Sequence, residues 1–105
     1  MDEVKNYEEE VFKSSGVILV DFTATWCGPC KALKPVLEGL EGEFPAVKFY
    51  KLDVDANQDI CTRVGIRSVP TVIVYDNGEA IETLVGAKPK KYYQILLESL
   101  AKPVP

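Results

Sequence analysis

The sequence predicts an α/β fold: a central mixed sheet of four to five strands flanked by helices on both faces. Three observations predict it. Apolar runs that read as strands alternate with segments of helical period. The runs 17–23 and 71–75 are apolar almost throughout, as strands buried on both faces are. Asp76-Asn77-Gly78-Glu79 carries a hairpin signal, because Asn-Gly accepts the positive φ angles of a type I′ turn. Right-handed crossovers then give a parallel core with one antiparallel edge.

The elements follow in chain order. Asn6 before Tyr7-Glu8-Glu9-Glu10 reads as a helix start, with Asn6 accepting from an early backbone N–H and Glu9 reaching back. Tyr7 and Val11 share a face, and Ser14-Ser15-Gly16 ends the turn. In the strand Val17-Ile18-Leu19-Val20-Asp21-Phe22-Thr23, the two-residue period puts Asp21 on the face of Val17 and Leu19, where an ionised carboxylate is costly without a partner. Phe22 continues the apolar pattern and argues against the strand having already ended.

A helix opens at Thr25-Trp26-Cys27-Gly28-Pro29-Cys30, with its apolar stripe at Cys30, Leu33, Leu37, Leu40 and Phe44. Cys30 begins that stripe, whereas Cys27 lies just before the helix and off it. Free N–H groups and the positive end of the helix dipole favour a thiolate on Cys27, which makes it the attacking thiol and leaves Cys30 to resolve what it forms. Pro29 suits a first turn, while Pro35 is expected to kink the helix and Gly39 and Gly42 to weaken its later turns.

The run Val47 to Val54 reads as a strand on which Lys51 shares a side with Val47 and Phe49. Two opposite charges on neighbouring buried strands suggest that Lys51 is the charge partner of Asp21; a lysine snorkelling to water is the plainer reading. Asn57 is placed to cap a short helix carrying Ile60 and Val64, with Cys61 beside them as a small buried hydrophobe. Val69-Pro70 precedes the strand Thr71 to Tyr75, the hairpin partner spans Ala80 to Val85, and Gly86 ends it. Pro89 starts a last helix with Tyr93, Leu96, Leu97 and Leu100 on its apolar face, and Pro103 marks its exit.

Composition bounds the function. A chain of 105 residues suits one domain, 1–105, with a single core, and 47% hydrophobic with 27% charged residues is ordinary for a soluble globular protein. A net charge of -4 without a Lys/Arg block argues against nucleic acid. No basic-then-apolar leader opens the chain and no segment approaches the ~20 apolar residues that cross a bilayer, so the expected setting is cytoplasmic, with no membrane partner. Three cysteines do not fit a secreted disulfide framework. A metal site is disfavoured by one Cys-x-x-Cys, a distant Cys61 and no histidine. A Cys-x-x-Cys pair at a strand–helix junction reads instead as a redox dithiol, with the disulfide Cys27–Cys30 as its oxidised form and no other cofactor.

Val20-Asp21-Phe22, Trp26-Cys27-Gly28-Pro29-Cys30-Lys31, Val69-Pro70-Thr71 and Asn77-Gly78 occur in the order and near the spacing found in thioredoxins, and the chain resembles that family over nearly its whole length. The resemblance implies the thioredoxin fold and the reduction of protein disulfides by a monomer. It implies a cis peptide at Pro70 facing the cysteines, and a Val69 backbone that pairs with an extended substrate segment. Trp26, Gly28, Pro29, Val69, Pro70, Gly86 and Ala87 would form the contact surface around Cys27. With no flavin or nicotinamide fingerprint, electrons would come from a thioredoxin reductase, NADPH-dependent or ferredoxin-linked. Asp21, beneath Cys30, is the candidate proton acceptor, through a water. Burial should raise its pKa, and a shift of ~3 would cost about 4 kcal/mol of stability above the folded pKa. Two other functions stay open: a redox-independent interaction module, and a disulfide isomerase-like domain, since the residues between the cysteines tune the potential. Two departures from the family stand out. Only Met1 to Lys5 precede the first helix, so the usual first edge strand is expected to be truncated or missing, and Thr23 stands where many members carry a tryptophan.

Overall fold

The structure, a computed structural model, describes residues 1–104. Five strands form one sheet in the order β1-β3-β2-β4-β5: β1 (Asp2–Glu3), β2 (Val17–Thr23), β3 (Lys48–Asp53), β4 (Thr71–Asp76) and β5 (Glu79–Val85). The first edge strand is therefore present, although only two residues long, and it pairs in parallel with β3. The helices are α1 (Gly28–Glu43), α2 (Gln58–Val64) and α3 (Lys90–Glu98). No helix among the described residues is long and apolar enough to cross a membrane.

The alternation of β2 sorts the two faces of the sheet. Val17 and Leu19 face α1 and α3, meeting Leu33, Leu37, Leu40, Tyr93 and Leu97. Ile18, Val20 and Phe22 face the other way, toward Tyr7, Val11 and Cys61. Phe44, just past the end of α1, is wholly buried and completes the predicted stripe. The helix continues through Pro35 as one element.

The sheet departs from the expected parallel core in one consequential way. β2 runs parallel to β3 but antiparallel to β4, and β4 is antiparallel to β5, so only β1, β3 and β2 are parallel. The connection, residues 54–70, folds into the short α2, which packs through Cys61 on the face that carries Phe22, and re-enters the sheet at the end where β3 leaves it. β4 therefore starts where β3 ends, with Thr71 opposite Phe22.

Local capping also differs from expectation. Asn6 Oδ1 accepts from the Glu9 N–H as predicted, but Glu10 rather than Glu9 reaches back, accepting from the N–H groups of Lys5 and Asn6. The segment Glu8–Phe12 is a π-helical turn, closed by Lys13 N–H to the Glu8 carbonyl. Its five-residue spacing stacks Phe12 edge-on against Tyr7, 5.0 Å apart, and both rings pack on Tyr75. Asn57 precedes α2 without a side-chain cap, because its amide donates to the Asp53 carbonyl at 2.8 Å and ties the helix start back to β3. The hairpin is as predicted, with Asn77 at φ 52° and Gly78 at φ 83°. A side chain at Gly78 would also strike the Phe12 backbone carbonyl, so only glycine fits there.

Candidate functional site

β2 delivers the site. Beyond Thr23 the chain turns through buried Ala24, whose carbonyl accepts from the Cys27 N–H at 3.2 Å, and enters α1 at Gly28. Cys27 is the N-cap residue of α1: its backbone is extended, at φ −94° and ψ 111°, and its Sγ accepts from the Cys30 N–H at 3.2 Å. A sulfur so placed takes a backbone donor and faces the positive end of a helix of 16 residues, conditions that favour negative charge on it. Cys27 and Cys30 are joined as a disulfide with their Cα atoms 5.3 Å apart.

Sequence reasoning set Cys27 off the buried stripe and Cys30 at its head. That difference holds in position along the helix but not in exposure, since Cys27 is 5% exposed and Cys30 2%. Ala24, Val54 and Val69 close over the pair and bury both sulfurs in a small apolar cluster. Val69 is there because β4 begins at the cysteine end of the sheet, and the Val69-Pro70 peptide bond is cis. Pro70 is buried, and its carbonyl accepts from the Gly86 N–H at 2.8 Å, which brings the Gly86-Ala87 turn to the same end. Gly28 and Pro29 are exposed beside the disulfide.

Trp26 stands out from the surface, 67% exposed, with its indole N–H donating to Asp55 Oδ2 at 2.8 Å. Asp55 has no motif to announce it; only the fold brings it to Trp26. Between Trp26 and Val69 lies a cavity of about 160 Å³ lined also by Val54, Cys61, Ile66, Arg67 and Ser68. Cys61 is buried as expected, and burial pushes its thiol up from its ordinary value.

Asp21 is 2% exposed, and its Oδ1 has no hydrogen-bond partner among the described residues. Desolvation raises its pKa from 3.8 to about 6, in the expected direction, and the carboxyl borders a cavity. That cavity, about 220 Å³, is lined by Asp21 and Cys30 together with Lys31, Lys34, Lys51 and Asp53. Lys51 is Cα partner to Asp21 across the β2–β3 pairing, so register brings the expected pair side by side. Contact does not follow. Among the described residues the Lys51 ammonium joins no ion pair, and burial alone accounts for the Asp21 shift. Half-buried at the cavity wall, a lysine keeps its ammonium hydrated more cheaply than against a carboxyl that is itself short of water. Lys34 was legible in principle, since it lies one helical turn after Cys30.

A family model described as Thioredoxin matches residues 1–99. The chain belongs to the thioredoxin family. It is 49% identical to the thioredoxin of Bacillus subtilis (strain 168) over 85 residues, 80% of this chain and 82% of that one. To the thioredoxin of Chlamydia muridarum it is 49% identical over 77 residues, covering 73% and 76%. Among solved structures it is similar to a mutant thioredoxin from Halobacterium salinarum NRC-1, with a TM-score of 0.86 and 36% identity across 99% of this chain and 91% of the other. Membership in this family together with the disulfide geometry makes the protein a thiol–disulfide oxidoreductase with protein-disulfide reductase activity, and Cys27–Cys30 its redox-active disulfide.

Proposed function

We propose that the protein reduces disulfides in protein substrates with Cys27 as nucleophile, Cys30 as resolving thiol and Asp21 as the acceptor of the Cys30 proton. The observation that carries this reading is the N-cap placement of Cys27, whose Sγ takes the Cys30 N–H while Cys30 shares a cavity with an unpartnered carboxyl. In the reduced protein the Cys27 thiolate attacks one sulfur of the substrate disulfide and forms a mixed disulfide with it, while the other substrate sulfur leaves as a thiolate that solvent protonates. Cys30 passes its proton to Asp21, through a water held in the cavity, and its thiolate attacks Cys27 Sγ. The substrate sulfur held in the mixed disulfide then leaves as a thiolate, two electrons have passed to the substrate, and the Cys27–Cys30 disulfide remains. A carboxyl with its pKa near 6 is ionised at neutral pH yet basic enough to take a proton, which suits a general base. Lys51, beside it in register, would lower the cost of that charge.

Substrate would dock as an extended segment on the Val69 backbone at the cis Val69-Pro70 step, between Trp26 on one side and Gly86-Ala87 on the other, with Gly28 and Pro29 completing the contact surface. A thioredoxin reductase would return two electrons and two protons to the disulfide. The reading takes residues 1–105 as one domain, acting as a cytoplasmic monomer without a further cofactor. Insulin disulfide reduction with an NADPH-dependent or a ferredoxin-linked reductase supplied in turn tests it. Turnover with one of them is the expected result; failure with both, while chemical reductants still drive insulin reduction, would remove the reductase partner from the scheme.

A further inference from the structure

Three residues on three neighbouring strands form a charged row across the sheet. Glu3 on β1 is Cα partner to Lys51 on β3, and Lys51 is Cα partner to Asp21 on β2. Residues paired in this way project from the same face, and all three line the cavity that also holds Cys30. Adjacent strands are ~4.8 Å apart, so the Lys51 stem rises midway between two carboxyls, one exposed and one buried. Its ammonium is committed to neither, and Asp21 Oδ1 has no partner among the described residues.

We propose that Glu3 is a positioning residue that competes with Asp21 for the Lys51 ammonium, so that the short edge strand sets how readily the buried acid holds a proton. The inference rests on the reading of Asp21 as proton acceptor and adds a second carboxylate to it. Glu3 is exposed, so it offers Lys51 an anion at little desolvation cost. Asp21 offers one only after losing its proton in a water-poor cavity. While Asp21 is protonated, Lys51 turns toward Glu3 and water. When Cys30 must be deprotonated, Asp21 is ionised and the lysine can swing across. Glu3 itself lies two strands from Asp21, roughly 10 Å, about a Debye length in physiological salt, so its direct field on Asp21 is weak and its influence runs through Lys51.

The other charged or titratable groups facing this row are known. From α1 come the Cys30 thiol when reduced and the exposed Lys31 and Lys34. From β3 comes Asp53, and from α3 the Tyr93 hydroxyl, whose pKa is raised chiefly by burial and in smaller part by the Asp21 charge. The Met1 ammonium is held by Glu41 at 3.1 Å and so is not free to serve Asp21.

The test is the titration midpoint of the Asp21 carboxyl in the reduced protein, followed by carboxyl carbon NMR. It is paired with the pH profile for release of substrate from the mixed disulfide. Glu3→Gln should lower both midpoints by roughly half a pH unit, the size expected when one partly exposed ion pair is strengthened. Glu3→Asp should restore most of the wild-type profile. Lys51→Met should raise the midpoint and abolish the effect of Glu3→Gln. Hydrogen exchange of the Val4 N–H, which donates to the Lys51 carbonyl at 3.0 Å, reports whether the edge strand stays paired in each variant. An unmoved midpoint in Glu3→Gln with the strand intact overturns the proposal. So does an equal shift in the Lys51→Met background, which would mean a direct field. If Asp21→Asn releases substrate at the wild-type rate while Glu3→Gln still moves the carboxyl midpoint, the competition stands and the acceptor role of Asp21 falls.

Discussion

The two faces of the sheet bury polar groups in opposite ways. Beneath the π-helical turn and α2, the hydroxyls of Tyr7 and Tyr75 lie 2.7 Å apart and satisfy one another, and burial raises the ionisation of both, that of Tyr7 strongly. Beneath α1, Asp21 is buried as thoroughly, but its Oδ1 has no partner among the described residues. The tyrosine pair is stabilising because each buried donor or acceptor has been matched. The aspartate is destabilising when charged, and it sits beside a redox-active cysteine. An unmatched buried carboxyl next to a reacting sulfur signals chemistry, whereas a matched pair of the same burial signals packing.

The contrast is tested most severely at the cysteines. Cys30→Ser should end turnover in insulin reduction, and a stable mixed disulfide through Cys27 should accumulate, visible by intact-mass spectrometry. If Cys27→Ser instead accumulates such a species and Cys30→Ser does not, the roles are reversed.

The next largest effect belongs to Asp21. A folded pKa raised from 3.8 to about 6 means that the native state holds the proton over that interval and the unfolded state does not. Stability from this group is therefore fully present below 3.8, falls as pH rises through the interval, and is flat above about 6. The full loss is about 3 kcal/mol. Asp21→Asn should be more stable than wild type by up to about 3 kcal/mol at neutral pH, with the gain vanishing in acid, as urea titrations across pH would register. The same variant should release substrate from the mixed disulfide about 10²-fold more slowly at neutral pH. A gain in stability that is the same at all pH values would place its origin in packing and erase the contrast between the two faces.

On the opposite face, Tyr75→Phe strands the Tyr7 hydroxyl and should cost about 1–2 kcal/mol of stability across the acid-to-neutral range, with exchange kinetics unchanged. Any change in the rate of substrate release would tie that face to the chemistry. The smallest effect is expected at Cys61→Ala, where loss of one sulfur from a partly collapsible site should cost about 1 kcal/mol and leave insulin reduction as it was.

Particular residues show how much of this could be read from the chain. Asp21 was legible because a charged residue inside a seven-residue apolar strand violates a two-residue period, and the period says which face it lies on. Cys27 and Cys30 were legible as unequal because one heads a helical stripe and the other precedes it. Glu10 was misread, since a choice between Glu9 and Glu10 depends on the pitch of the turn, and the turn widens to stack Phe12 on Tyr7. Asp55 gave no signal: its contact with Trp26 spans 29 residues and follows from where β3 ends.

Periodicity, capping residues and turn residues act over a few neighbours, so the sequence by itself determined β2 to β5, α1 to α3, the hairpin, the buried acid and the placement of the two thiols about a helix start. Direction and distance were decided only by the tertiary structure. Whether β4 runs with or against β2 is set by pairing between residues roughly fifty positions apart, beyond the reach of any local pattern, and the structure pairs them antiparallel. That direction puts Val69 and Pro70 at the cysteine end, and the register of three strands, rather than any local rule, stations Lys51 between Asp21 and Glu3.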